Sequence, residues 1–197
     1  MAELNSVGLL EMTSIALGNV AEDAMLKAAP VELLLARTVC SGKFLIVVGG
    51  HLAALVFDEQ VQRATLWPTA GLEALGVRAE LERSGVCVVD PSADKHELGR
   101  CDLGITEVDV ALPKTGTLGL FSSSTKPRAV SLLPRVHLAI LTPQALVADL
   151  HDAFSRARHE HYLVFVTGPS RTADIELTVT LGVHGPRRLV LWCVLAP

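Results

Sequence analysis

Short apolar runs divided by polar turns alternate along this chain with segments whose apolar positions recur every three or four residues. Residues 6–12 are one such run, and Thr13 or Ser14 stands where the following helix needs an N-cap. From Leu17 onward Val20, Ala21, Ala24, Met25 and Ala28 fall at helical intervals, with Glu22, Asp23 and Lys27 on the other side. Asp23 and Lys27 are one turn apart and can pair. Pro30 lacks an N–H and biases Ala29 out of helical geometry, so the helix is expected to stop there. Residues 31–39 and 43–48 read as an antiparallel hairpin around the turn Cys40-Ser41-Gly42, closed by Gly49-Gly50. A weak helical pattern covers 51–62, and Trp67-Pro68 marks a change of register. The expected organisation is two modules, 1–62 and 63–197.

In the second module, 72–81 is an amphipathic helix and 86–89 a strand ending at Asp90-Pro91. Strand and loop alternate over 101–120, broken by Gly104, Gly116 and Gly119, and 122–126 is a polar loop. Residues 129–133 and 136–141 read as strands. Residues 143–158 read as a helix with Leu146, Leu150 and Phe154 on one face, and 162–166 and 188–194 as final strands. Such alternation predicts an α/β layer structure. There is no internal repeat.

Composition narrows the function classes. The 197 residues are 50% hydrophobic and 19% charged, with a mean hydropathy of +0.42, too apolar for a disordered chain. Yet 15 Gly, 10 Pro and scattered charges keep every run below the roughly 18 residues of a membrane-spanning helix. Net charge is −4, and basic residues never form a block, so neither nucleic acid nor a membrane is an expected partner. Residues 1–6 carry no basic segment leading an apolar core, which predicts a cytoplasmic location. Cys40, Cys87, Cys101 and Cys193 are widely spaced without a C-x-x-C pair and read as reduced core thiols.

Two stretches carry candidate chemistry. In the first, a strand runs into Gly168-Pro169-Ser170-Arg171-Thr172, which can offer backbone N–H groups, two hydroxyls and a guanidinium to a carboxylate or phosphate. Beyond it, Asp174 and Glu176 share a face if the chain is extended. If it is helical, Thr172 is the N-cap and both carboxylates offset the helix dipole. His184, between Gly182 and Gly185-Pro186, can act as an acid or base near neutrality or simply brace its loop. The second stretch comprises Thr106-Glu107, Asp109 and Thr115-Gly116-Thr117, where Gly116 permits close backbone approach and the threonine hydroxyls can bond a ligand. His159-Glu160-His161 lacks a third metal ligand, and Gly49-Gly50 lacks the rest of a dinucleotide fingerprint, so neither a metal nor a cofactor is expected.

The segments SVGLLEMTSIALGNVAEDAMLKAAPVEL and CSGKFLIVVGGHLAAL, within about 5–55, resemble the shell proteins of bacterial microcompartments. The resemblance implies an α+β module, hexamers that tile into a sheet, a pore lined at the Ser41-Gly42 turn, and Lys27 at the hexamer edge. After Leu55 the sequence departs from that family: its second helix, a further strand and a basic edge motif are missing, so the module reads as truncated. The missing strand predicts a sheet edge that the second module must cover if hexamers are to form.

From about Trp67 onward, the segments CDLGITEVDVALPKTGTLGLFSSS, RAVSLLPRVHLAIL and TGPSRTADIELTVTLGVHGP resemble a second family, lactate utilisation protein C, with its LUD domain. It implies an α/β fold akin to the sugar-phosphate isomerase and coenzyme A transferase-like group, and an association with oxidation of L-lactate alongside iron-sulfur partner proteins. The chain has no cysteine cluster for such a centre. Pro113-Lys114 stand where that family has a small residue and a glutamate, which removes a possible base and reverses a charge.

Three functions follow as expectations. One is an accessory, oligomeric protein of lactate or related organic-acid use that binds a small anionic metabolite or partner proteins and associates with a microcompartment shell. Another is an enzyme acting on a small carboxylate or phosphorylated metabolite through 168–172 with Glu107 or His184. The third is a purely structural shell subunit.

Overall fold

The computed structural model describes residues 6–12, 32–39, 43–50, 52–160, 162–169, 171–173, 179–181 and 183–194. Three strands come first, β1 (Ser6–Met12), β2 (Glu32–Val39) and β3 (Lys43–Gly50), with β3 antiparallel to both β1 and β2. The expected hairpin of the second and third strands is therefore present. The predicted helix after Leu17, the turn residues Ser41 and Gly42, and Lys27 lie outside the described residues.

Next come α1 (Leu52–Asp58), β4 (Arg63–Leu66), α2 (Ala70–Ala74), α3 (Val77–Arg83), β5 (Cys87–Val89), α4 (Lys95–Leu98) and β6 (Leu103–Glu107). The single helix expected over 72–81 is divided, because Gly76 takes a φ of 64° that ends one helix and opens the next. The α4 helix starts at Asp94, whose carboxylate accepts the N–H groups of His96 at 2.7 Å and Glu97 at 3.2 Å. Strand β4 falls where the module boundary was expected. Although short, it buries Ala64, Thr65 and Leu66 and pairs in parallel with both β5 and β6.

The chain continues through β7 (Val110–Leu112), β8 (Thr117–Ser122), α5 (Ala129–Leu132), β9 (Val136–Leu141), α6 (Leu150–Arg156), β10 (Tyr162–Val166), β11 (Arg171–Ala173), β12 (Val179–Leu181) and β13 (Arg188–Cys193). Residues 129–132 are helical rather than the expected strand. A short apolar run has no periodicity to decide its state. Here packing decides: Val130 O comes so close to Gly104 that a Cβ on that glycine would lie 1.9 Å away. The helix expected over 143–158 begins later. Pro143–Ala145 form a 3₁₀ turn, Val147 N donates to Ala111 O at 2.9 Å, and Asp149 caps α6 through Asp152 N at 3.0 Å. Leu146, Leu150 and Phe154, expected on one face of that helix, are exposed, while Ala153 is buried.

The main sheet has the order β2-β3-β1-β13-β9-β6-β4-β5. From β13 to β5 all pairings are parallel, while β1 joins β13 antiparallel with Val7 opposite Cys193. The first three strands thus extend the sheet of the second module, and β13 occupies a flank of β1. A smaller antiparallel sheet, β10-β8-β7, and the hairpin of β11 and β12 complete the strands described. The arrangement is the expected α/β class. Leu66, Leu103, Ile105, Leu118, Leu120, Leu138 and Trp67 share one buried core between the main sheet and its covering layers.

Ion pairs gather at the amino ends of the parallel strands. Asp102 accepts Gln62 N at 2.9 Å, Arg63 N at 3.1 Å and Arg135 Nε at 3.3 Å, and Arg135 and Arg188 both reach Glu59. Burial opposes charge on Asp102, but these donors outweigh it and hold its carboxyl below the usual range. This end of the sheet is therefore occupied by structural pairing.

Candidate functional site

Strand order reverses at one place within the parallel region. The connection from β4 leads through α2 and α3 to β5 on one side, whereas that from β6 leads through the small sheet and α5 to β9 on the other. The carboxyl ends of β4 and β6 therefore diverge and leave a crevice, the usual ligand position in open α/β sheets. Trp67 follows β4 and Glu107 ends β6, so both flank this switch point.

Glu107 lies half-buried with its Oε1 against Gly71 of α2; a Cβ on Gly71 would be 1.7 Å from that oxygen. Asp109 is engaged on both carboxylate oxygens, by Phe121 N at 2.7 Å and Lys126 Nζ at 2.6 Å. Lys126 also stacks 4.7 Å from the centre of the Trp67 ring, and Trp67 Nε1 donates to Pro127 O at 3.0 Å. These contacts pin the 123–128 loop across the switch point. Thr106 is fully buried, its Oγ1 2.9 Å from His137 Nε2. Burial pushes the His137 imidazole down to about 4, so the ring is neutral at ordinary pH.

A second grouping unites the two stretches singled out in the sequence. In the hairpin between β7 and β8, Gly116 has φ 64°, and Thr115 Oγ1 donates to Thr117 Oγ1 at 2.8 Å. Thr117 Oγ1 lies 3.1 Å from Thr167 Oγ1, just beyond β10. The next residue, Gly168, has φ 145°, which favours glycine. The Thr115-Gly116-Thr117 turn and the start of the 168–172 loop are therefore adjacent. Arg171 and Thr172 belong to β11, so Thr172 is not a helix N-cap and the extended alternative holds for 171–173. Ser170 and Asp174 lie outside the described residues.

The structure separates the two residues proposed for acid–base work. His184 is exposed on the loop entering β13, where Arg187 N donates to Arg135 O at 2.9 Å beside the amino end of β9. Glu107 ends β6 at the opposite end of the parallel strands. A residue advances a strand by about 3.3 Å, so the length of the sheet stands between these two ends.

The sequence pattern assigned no site role to Trp67, Gly71, Lys126, Arg128 and His137. The Trp67-Pro68-Thr69 run after a short apolar segment was an available signal for the first of these, since a strand end followed by an N-cap residue is the pattern of a βα loop. Of the cysteines, Cys101 is buried, Cys193 half-buried and Cys87 exposed, so the last is not a core thiol; all three are free. Among the described residues no group of three or more His, Cys, Asp or Glu is arranged to hold a metal ion, and no helix is long and apolar enough to cross a membrane.

An open, mostly parallel α/β sheet with loops gathered at a switch point defines the class. The LUD domain model matches residues 88–193, more than half the chain, and the chain belongs to that family. The BMC domain model matches 6–56, over the stretch that resembles microcompartment shell proteins. Lactate utilization protein C of Shouchella clausii is 38% identical over 133 residues, covering 61% of this chain and 57% of that protein. Its counterpart in Halalkalibacterium halodurans is 35% identical over 145 residues, covering 68% and 63%. This chain thus spans less than two thirds of the length of either relative. A solved DUF162 family protein from Deinococcus radiodurans aligns with 19% identity and a TM-score of 0.44, over 72% of this chain and 92% of that one.

Proposed function

We propose that this protein is an accessory component of lactate or related organic-acid utilisation that binds a small organic anion where the Thr115-Gly116-Thr117 turn meets the Thr167-Gly168 loop. The observation that carries this reading is the 3.1 Å contact between Thr117 and Thr167, which unites two signature segments far apart in sequence. Hydroxyls and glycine backbone suit a carboxylate, and we assign the charge that a carboxylate requires to Arg171 of the same signature segment. The relatives named for lactate utilization make L-lactate and pyruvate the first ligands to test. Binding to the native state raises the melting temperature, by the equivalent of about 2.7 kcal/mol at a hundredfold excess over Kd. The expected result is a ligand-dependent shift that Arg171→Ala abolishes; a shift unchanged in that variant contradicts the reading.

The BMC match favours a second property, association with a microcompartment shell. Co-assembly with shell hexamers, followed by light scattering and co-sedimentation, is the test. A monomer that fails to co-sediment removes the association and leaves anion binding intact. Shell proteins and iron-sulfur lactate-oxidation subunits are the partners to try.

A further inference from the structure

We infer a separate oxyanion site in the groove between the 122–128 loop and β10, built from Ser122, Arg128 and Tyr162. Ser122 and Tyr162 are directly opposed in the antiparallel pairing of β8 and β10, so their side chains share a face. On that face the Arg128 guanidinium lies 4.7 Å from the centre of the Tyr162 ring. Ser122, Arg128 and Tyr162 line a shallow, open groove of about 580 Å³.

Most polar groups of this loop are already engaged. Lys126 pairs with Asp109, and Ser123 Oγ accepts Lys126 N at 3.1 Å and bonds Thr125. Two groups differ. Ser122 is only 7% exposed, yet its hydroxyl has no hydrogen-bond partner, an uncommon and costly condition for a buried polar atom. Arg128 has no carboxylate partner among the described residues; its guanidinium lies over the Tyr162 ring. A guanidinium over an aromatic ring can still offer N–H groups to an oxyanion, and Ser122, which lines the groove, holds a hydroxyl without a partner that can turn to a bound ligand. The ligand class is a small molecule ending in a phosphate or carboxylate group.

The test is titration of the full chain with inorganic phosphate and, separately, acetate, followed by calorimetry. Saturable binding of either is expected, and the stronger arm identifies the anion. Arg128→Gln, at an exposed position, is expected to weaken binding about tenfold or more. Ser122→Ala removes a hydroxyl without a partner, so it is expected to leave the free protein as stable or slightly more so while also weakening binding. The titrations are run in the Arg171→Ala background, in which the other loop no longer takes an anion, so that the heat read belongs to this groove. No saturable binding of either anion overturns the inference. So does binding that survives Arg128→Gln in that background. A clear loss of stability in Ser122→Ala likewise overturns it, since the hydroxyl would then have a structural partner.

Discussion

The Glu107 carboxylate lies so close to Gly71 that a Cβ on residue 71 would sit 1.7 Å from its Oε1. The contact spans the β4–β6 switch point and joins the end of one strand to the helix that follows the other. Because the clashing atom is the tip of a flexible side chain, Gly71→Ala is expected to turn Glu107 away at a cost of about 1 kcal/mol or less. Adding Glu107→Ala is expected to recover that cost, a coupling that denaturant unfolding of the four cycle members measures.

Gly104 provides the contrast. There the obstacle is backbone, Val130 O at 1.9 Å from an added Cβ, and it cannot swing aside. Gly104→Ala is expected to destabilise the protein by about 3 kcal/mol through overpacking beneath α5. Urea unfolding reads this directly, and a loss comparable to that of Gly71→Ala would show that α5 is not seated as described.

Asp109 holds both Lys126 and the backbone of Phe121, and its side chain is only 19% exposed. Asp109→Ala leaves two donors without their acceptor, so a loss of about 2 kcal/mol is expected. Asp109→Asn retains an acceptor for one of them and is expected to lose less. Thermal unfolding of the two variants side by side checks the order.

His137 gives stability a pH dependence of defined sign. Burial lowers its folded value from 6.5 to about 4, so between those values the unfolded chain binds a proton that the folded chain does not. Stability contributed by the neutral ring is complete above about pH 6.5 and falls as pH drops towards 4, by up to about 3 kcal/mol. Denaturant unfolding across that window is expected to show the slope in the parent and a reduced slope in His137→Gln.

Thiol labelling separates the cysteines. Cys87 is exposed, whereas burial raises the thiol of Cys101 and protects it from reagents. Cys87→Ser is expected to remove one fast-reacting equivalent in the native protein, while Cys101→Ser removes one only after unfolding.

The longer strands were legible because their alternation or continuous apolar character is strong: 6–12, 136–141, 162–166 and 188–193 lie where the pattern placed them. Strand β4 was not, since four residues beginning with arginine carry little periodicity and become central only by pairing with strands distant in sequence. The 129–132 helix was hidden for a related reason, since it packs on Gly104, a residue distant in sequence whose lack of a side chain makes room for it. Of the candidate site, the proximity of Thr115, Thr117 and Thr167 follows from the antiparallel pairing of β8 and β10, which no local pattern announces. The separation of Glu107 from His184 likewise follows from the direction of parallel strands. Lys126 and Arg128 read as ordinary loop cations until the Trp67 and Tyr162 rings were found beneath them.

Calorimetric titration of the parent chain, of Arg128→Gln and of Thr117→Val with L-lactate and pyruvate is the most direct trial of the anion-binding role. The expected result is a saturable heat for at least one of them that persists in Arg128→Gln and is weakened about tenfold when the Thr117 hydroxyl is removed. The absence of a saturable heat with both acids, or an affinity unaltered in Thr117→Val, would contradict it.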